Sequence, residues 1–283
     1  MSELAYVQLV NGNSYELEVY IDPINKRIRI DDYRGNVKAV VSKAEEIISF
    51  LKKEKLIFIA RKEHFPILLQ HGFQCEALVE GYFRGSDAYY FSKYYHDDRR
   101  QSKNWLMEDK ILHAVKNTSE SEIKIPSHYQ LLGMEKNDAK HLSQLYQKVF
   151  KIYPTPLHDP EYIKKTMDEG TRYYGFLCDG ELVSCASTEK NLLYHHAELT
   201  DCATLPQHRK YGLMKRIIQK LETDLRQQGI YCAFSIARAQ SFGMNAVLHR
   251  LGYQYRGRLM NNCYIFDKLE NMNMWVKDLS KDN

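Results

Sequence analysis

The stretch "TLPQHRKYGLM", Thr204 to Met214, marks where a β-prone run gives way to helical spacing. Downstream, Leu213, Met214, Ile217, Ile218, Leu221 and Leu225 make one apolar stripe, with Lys215, Arg216, Gln219, Lys220 and Glu222 between them. Gly229 is the expected stop. Gly212 falls in the first turn of this helix, where glycine costs roughly 1 kcal/mol against alanine. What offsets that cost is access. A strand, a tight loop and a helix N-terminus aim unpaired N–H groups, at the positive end of the helix dipole, at one spot. Phosphate fits there, and a residue without Cβ lets it reach the main chain. Arg209 and Lys210 supply counter-charge. An incidental helix cap competes with this reading of a bare R-x-x-G.

The rest of the chain narrows the choice. Its 283 residues are 44% hydrophobic and 27% charged, enough for one large or two ordinary domains. No basic-then-apolar leader opens it and no apolar run is long enough to span a bilayer, so a soluble cytoplasmic protein is expected. Cys75, Cys178, Cys185, Cys202, Cys232 and Cys263 form no CxxC pair and read as free thiols. A net charge of +4, with basic and acidic residues interleaved, gives no nucleic-acid signature. His195-His196 lacks a third ligand at metal-site spacing, so no metal is expected. There is also no G-x-x-x-x-G-K-[ST] or G-x-G-x-x-G, which disfavours nucleoside triphosphates and dinucleotides.

Along the chain, "LAYVQLVNGNSYELEVYID" and "NKRIRIDDYRG" read as strands, followed by a helix from about Ser42 to Lys53 and a strand "LIFIAR". A helix ending at Gly72 and the strands "CEALVEGYF" and "AYYFSKYY" complete this half. The order recurs near the C-terminus as a degenerate internal repeat. Ile59-Ala60-Arg61 parallels Ile236-Ala237-Arg238, Gly72-Phe73 parallels Gly252-Tyr253, and Phe91–Lys93 parallels Trp275–Lys277. Chance similarity of two helix-strand units is the alternative. Between the halves a helix carrying Trp105, Leu106, Ile111 and Leu112 leads to the polar "KNTSESEIKIPS". The expected units are therefore 1–95, a connector 96–126, and 127–283. Strands followed by alternating strands and helices give an α/β (α+β) class, a mixed central sheet flanked by helices.

The run of strand, Pro206, R-x-x-G, amphipathic helix, "YCAFSIAR", a helix with Asn245 and Ala246, then Gly252-Tyr253 resembles the GCN5-related N-acetyltransferase (GNAT) family over about residues 127–283. The resemblance implies acetyl-CoA as cosubstrate, with Arg209, Lys210, Tyr211, Gly212, Leu213 and Met214 as the pyrophosphate loop. It likewise implies that Cys202, Ala203 and Thr204 face the pantetheine and that Asn245 lies near the thioester. Met214 departs from the family's usual Gly or Ala. The segments "AELTDCATLP", "IARAQSFGMNAVLHRLGY", "GRLMNNC", "ENMNMWVK" and "GYFRGSDAYYFSK" are similar to the β-lysine N6-acetyltransferase branch over nearly the whole chain. That implies acetylation of the side-chain amine of β-lysine, giving N6-acetyl-β-lysine, a compatible solute. The N-terminal half would be a degenerate domain of the same type, packed on the catalytic one or on a partner in a homodimer.

Acetyl transfer needs a neutral amine, and a lysine-like amine has a pKa of about 10.4. A positioned carboxylate can take its proton. By alignment with the family's catalytic glutamate, Glu198 is the candidate base. Asp201 is a second carboxylate three residues on; a regular strand aims it at the opposite face, and a bulge reverses that. The family's usual tyrosine acid is replaced by Leu248, leaving Tyr253, Tyr255, Tyr264 or solvent. For the amino-acid acceptor, Arg238, Asn245, Asn261 and Asn262 are candidate carboxylate or amide contacts, and Asp159 and Asp201 candidates for the second ammonium. Caps and turns compete for each of these. "YPTPLHDP" is a substrate loop only if it covers the cleft. Two other readings stay open: an acetyltransferase of lysine, another diamine or a polyamine, and a non-catalytic acyl-CoA-binding module.

Overall fold

The computed structural model describes residues 4–119, 124–150, 155–265 and 268–281. Thirteen strands of these residues form one sheet. The N-terminal half supplies β1 (Tyr6–Asn11), β2 (Tyr15–Asp22), β3 (Arg27–Gly35), β4 (Lys55–Ala60), β5 (Gln74–Phe83) and β6 (Ser86–Tyr94), ordered β1-β2-β3-β4-β6-β5. The C-terminal half supplies β7 (Tyr129–Met134), β8 (Arg172–Cys178), β9 (Glu181–Asn191), β10 (His196–Thr204), β11 (Cys232–Arg238), β12 (Gln254–Ile265) and β13 (Lys268–Asp278). These follow on as β12-β13-β11-β10-β9-β8-β7. The halves meet where Ala77 on β5 pairs with Gly257 on β12. Gly257 has φ 134, and a Cβ there would sit 2.2 Å from the Glu76 carbonyl oxygen, so a larger residue would force the two edges apart.

Each half has a parallel strand pair, β3–β4 or β10–β11, connected through a helix. These helices are α1 (Val37–Phe50) and α7 (Leu213–Gln227). A second helix follows in each, α2 (Phe65–Gln70) or α8 (Phe242–Arg250), and then an antiparallel pair, β5–β6 or β12–β13. The triplets paralleled in the sequence fall on corresponding strands, β4 with β11 and β6 with β13, except that Arg61 lies just past the end of β4. Helix α1 starts at Val37 rather than near Ser42, because the Asn36 side-chain oxygen accepts from the amides of Lys38 and Ala39. Strand β12 has no counterpart in the sequence reading. Its register shifts between Tyr255 and Gly257 and between Leu259 and Cys263, which breaks the alternation that periodicity relies on.

The connector carries α3 (Asp97–Arg100) and α4 (Trp105–Lys116), and α4 packs on α8. Helices α5 (Ala139–Val149) and α6 (Pro160–Asp168) complete the C-terminal half. Three apolar clusters result. Val40, Val41, Ala44 and Ile48 of α1 pack on Leu17, Val19, Ile28 and Phe58. The stripe of α7, Leu213, Ile217, Ile218, Leu221 and Leu225, lies in the large C-terminal core. The third cluster is the joint: Ile57, Ile59, Val79, Tyr82 and Tyr90 pack against Phe234, Leu259, Met272, Met274 and Val276. The two half-sheets therefore fold face to face instead of continuing as one open surface.

Polar groups lock this joint. Lys55, fully buried, donates to Glu76 at 2.8 Å and to the Met260 carbonyl on β12 at 2.7 Å, and Ser92 donates to Glu76 at 2.7 Å. Burial pulls the Lys55 ammonium down to about 8 against the opposing charge of Glu76. Removing one partner of a buried ion pair leaves an uncompensated charge, whereas replacing both with apolar groups is much milder. Glu76→Gln is therefore expected to cost about 3 kcal/mol of unfolding free energy. The double change Lys55→Met with Glu76→Leu should recover most of it in guanidinium titrations. Equal losses in the single and double variants would contradict this account.

Candidate active site

Strands β10 and β11 pair only from His196–Glu198 to Cys232–Phe234. The Ser235 hydroxyl then donates to the Leu199 carbonyl at 2.8 Å and closes the bottom of a gap. Above it β10 stays bonded to β9 through Thr204, while β11 stays bonded to β13 through Arg238. Thr200 to Thr204 thus line one wall of a wedge, and Cys202, Ala203 and Thr204 are on it. Burial pushes the Cys202 thiol up, so it remains protonated near neutral pH, and its Sγ lies 3.6 Å from the Thr200 carbonyl.

At the mouth of the wedge, a 3₁₀ turn over Pro206–Tyr211 leads to Gly212. Gly212 is the N-cap of α7 rather than part of its first turn, at φ 66 and ψ 19, and no side chain caps the helix. Left-handed backbone lets the chain reverse here without a Cβ clash. The Arg209 Nε donates to the Thr204 carbonyl at 3.1 Å, bracing the turn, and the Lys210 ammonium lies 5.2 Å from the Tyr211 ring centroid. Beside Gly212 opens a groove of ≈ 910 Å³ whose lining includes Lys124, Lys215, Arg216 and Arg250. These cations escaped the sequence reading because they come from the connector, α7 and α8. Uncapped amides, a parted strand pair and a basic groove have the chemistry to hold an acyl-CoA: the amides at Gly212 and the cations of the groove would take its diphosphate, and the free edge of β10 its pantetheine.

Glu198 stands beside the bottom of the wedge. It is partly accessible and shares its face with Glu189 on β9 and Phe234 on β11. Burial, then the Glu189 charge, then Asp201 push its carboxyl up to about 8, while Arg29 and Arg27 pull the other way. Glu189 lies open at the rim yet is ringed by protein, and desolvation raises it as well. The register of β10 slips between Thr200 and Ala203, with Asp201 at φ 52. This bulge turns Asp201 onto the Glu198 face, where it accepts from the Ser187 hydroxyl at 2.8 Å. Tyr146 on α5, Tyr162 on α6 and Tyr173 on β8 all feel the Asp201 charge, and Tyr162 and Tyr173 that of Glu189 as well. Burial first raises each phenol and keeps it protonated, and the Tyr173 hydroxyl lies 2.8 Å from that of Thr166. The sequence reading missed all three. Tyr146 and Tyr162 lie in helical stripes that look like ordinary packing.

The other predicted residues are placed elsewhere. Leu248 is buried in the core, Tyr253 is buried with the Lys277 ammonium 5.5 Å from its ring centroid, Tyr255 meets Trp275 edge-on, and Tyr264 lies near Lys26 and Arg99. Asn245 is fully buried and has no polar atom left for a cofactor. It donates to the carbonyls of Arg238 and Ser241 and accepts from Asn273 and Trp275, fastening α8 to β11 and β13. Arg238 forks onto Glu270 at 2.6 and 2.7 Å. Asp159 caps α6 through the Glu161 amide. Asn261 gives its amide to the carbonyls of Asp98, Arg99 and Gln101, and the Asn262 carbonyl accepts from Arg27 and Arg99. Asn261 thus ties β12 to the connector, and Asn262 ties it to both the connector and β3. Residues 151–154 of the proline-punctuated loop lie outside the described residues.

His195 occupies a turn at φ 56, whereas His196 stacks on Tyr82, so the pair does not act as one ligand set. Among the described residues no group of three or more His, Cys, Asp or Glu is placed to hold a metal, and no helix is long and apolar enough to cross a membrane. All six cysteines are free.

The Acetyltransferase (GNAT) family matches residues 140–253, from α5 to the residue before β12. N-acetyltransferase YodP of Bacillus subtilis is 42% identical over 263 residues, covering 91% of this chain and 94% of that protein. The Beta-lysine N(6)-acetyltransferase of Methanococcus maripaludis is 31% identical over 260 residues, covering 92% and 95%. That of Methanosarcina mazei is 30% identical over 270 residues, covering 88% and 100%. The chain belongs to the GNAT acetyltransferases, in the branch that holds these β-lysine enzymes. It is an N-acetyltransferase of a family that uses acetyl-CoA.

Two outcomes follow from this geometry. Since the Glu198 carboxyl is raised to about 8, its base form accumulates only above that pH, so kcat/KM should climb through a limb near it. This limb is separate from the amine's own titration at about 10.4. Glu198→Gln should remove it and cost roughly 100-fold or more, whereas Glu189→Gln should move it to lower pH; a profile untouched by either change rules out the assignment. At position 212, valine in left-handed backbone costs about 1–2 kcal/mol. Gly212→Val should raise KM for acetyl-CoA roughly tenfold while sparing the amine's KM, and initial-rate kinetics with each substrate varied in turn would check it.

Proposed function

We propose that the protein transfers acetyl from acetyl-CoA to the side-chain amine of β-lysine, giving N6-acetyl-β-lysine, a compatible solute made in the cytoplasm. The charge of the cleft carries this reading. Glu198, Glu189 and Asp201 line it from the C-terminal half, and the charge of Arg29, paired with Asp31, acts on Glu198 from the N-terminal half. Three carboxylates on one wall with the Arg29 cation acting from the other half complement an acceptor with two ammonium groups and one carboxylate. The names of the two archaeal relatives agree with it.

Bound in the wedge, acetyl-CoA supplies an acetyl group activated as a thioester. Glu198 has to take a proton from the acceptor ammonium. Were its carboxyl at the ordinary 4.5, the mismatch to an amine of about 10.4 would be ~6 units, or ~8 kcal/mol. Raised to about 8, it leaves ~2.4 units, or ~3 kcal/mol, well within an enzymatic barrier. Asp201 and Glu189 hold up that value through their charge. The backbone of β10 along the wedge offers groups to orient the thioester arm, and the protonated phenols of Tyr146, Tyr162 and Tyr173 are the nearby proton donors.

The same carboxylates suit a diamine or polyamine, which is the second reading. Incubation with β-lysine and acetyl-CoA should give one product heavier by a single acetyl group, with fragmentation placing it on the side-chain nitrogen. Acetylation of the other amine, or thioester consumption with spermidine but not with β-lysine, would overturn the assignment.

A further inference from the structure

The N-terminal half has no R-x-x-G loop, although its β3 and β4 also stop pairing, after Ile30–Phe58. It nevertheless reaches the cleft. Arg29 pairs in register with Ile57, which belongs to the joint between the half-sheets, and so shares the joint's face. On the other side of that joint, Glu198 pairs with Phe234, also a joint residue. The two strands are pinned across the gap. The Tyr194 hydroxyl, in the turn before β10, donates to Asp32 on β3 at 2.7 Å, and the Arg61 guanidinium donates to the same hydroxyl at 3.1 Å. His196, two residues from Glu198, stacks on Tyr82 of β5 with ring centroids 3.6 Å apart.

Arg29 is held as a reading group would be. Its Nε and Nη2 fork onto Asp31, the second contact at 2.9 Å, and its guanidinium carbon lies 4.8 Å from the Tyr20 ring centroid. Nη1 has no hydrogen-bond partner among the described residues, and the side chain keeps 28% of its surface exposed. The other cation felt by Glu198 is Arg27, but it is tied to Asp22 at 3.0 Å and to the Asn262 carbonyl. Arg29 is thus the cation left to face an anion across from Glu198, Glu189 and Asp201.

We propose that Arg29, on β3 of the N-terminal half, binds the carboxylate of the amino-acid acceptor, so that one half of the chain delivers acetyl and the other selects what receives it. This deepens the β-lysine reading and rests on it. A charge-assisted hydrogen bond to a carboxylate gives discrimination of roughly 10- to 100-fold. A diamine of the same reach has no group to use it.

The test uses the full-length chain and two matched pairs, β-lysine and lysine against cadaverine, at a pH above the Glu198 limb. Wild type should favour β-lysine over cadaverine in kcat/KM. Removing the Arg29 charge also moves the Glu198 limb up, so each variant is compared on its own pH plateau. There Arg29→Gln should lower the kcat/KM ratio of β-lysine to cadaverine roughly 10- to 100-fold, chiefly through the KM for β-lysine. Arg29→Lys should restore part of the preference, because it keeps the charge and loses the fork. Cadaverine turnover in the same variants reports on folding. If wild type favours β-lysine and Arg29→Gln lowers both substrates in parallel, Arg29 is structural and the inference fails while the acceptor reading stands. If wild type shows no preference for a carboxylate-bearing amine, the acceptor reading fails and takes this inference with it.

Discussion

Hydrogen bonding between two parallel strands stops after Glu198 and Phe234, and the functional geometry follows from that stop. Had β10 and β11 stayed paired to their ends, no backbone edge would be free for a cosubstrate arm. The bulge at Asp201 sits just above the last shared pair and redirects β10. It costs one strained residue and also brings a second carboxylate to the face of Glu198. One local irregularity therefore opens the wedge and sets the electrostatics beside it.

The joint between the half-sheets is the second constraint. An apolar cluster drawn from both halves, with the buried Lys55–Glu76 pair and the Asn262 stitch, holds β3 opposite β10. Glycine at position 257 allows the two edge strands to approach. The same arrangement desolvates Glu198, which is the largest cause of its raised carboxyl. Covering a carboxylate is normally unfavourable. Here it brings the carboxyl closer to the pKa of an amine, which is what the proposed role of Glu198 as base requires.

Much of this was legible in the residues. The α7 stripe, the strand before it and the Gly212 loop are set by period and by local backbone preference, and both act over a few residues. The shared strand-helix-strand order of the two halves was also readable, since each half's periodicity is local. Misplacements came where a side chain made a long-range bond. Asn245, Asn261 and Arg238 have the composition of ligands, yet their partners at Trp275, Asp98 and Glu270 consume them. Tyr146 and Tyr162 have the spacing of packing residues, yet the fold brings both within reach of the Asp201 charge. β12 escaped because two register shifts erase its period.

From its order of residues alone the chain determined the amphipathic helix, the glycine that opens it, the glutamate strand and the free thiols, since each depends on neighbours in sequence. Tertiary structure decided which face Asp201 takes, how far the Glu198 carboxyl is raised, and that β3 of one half looks onto β10 of the other. Those properties depend on desolvation and Coulomb interactions between groups as many as 169 positions apart, as Arg29 and Glu198 are. Such terms exist only once the sheet has folded onto itself.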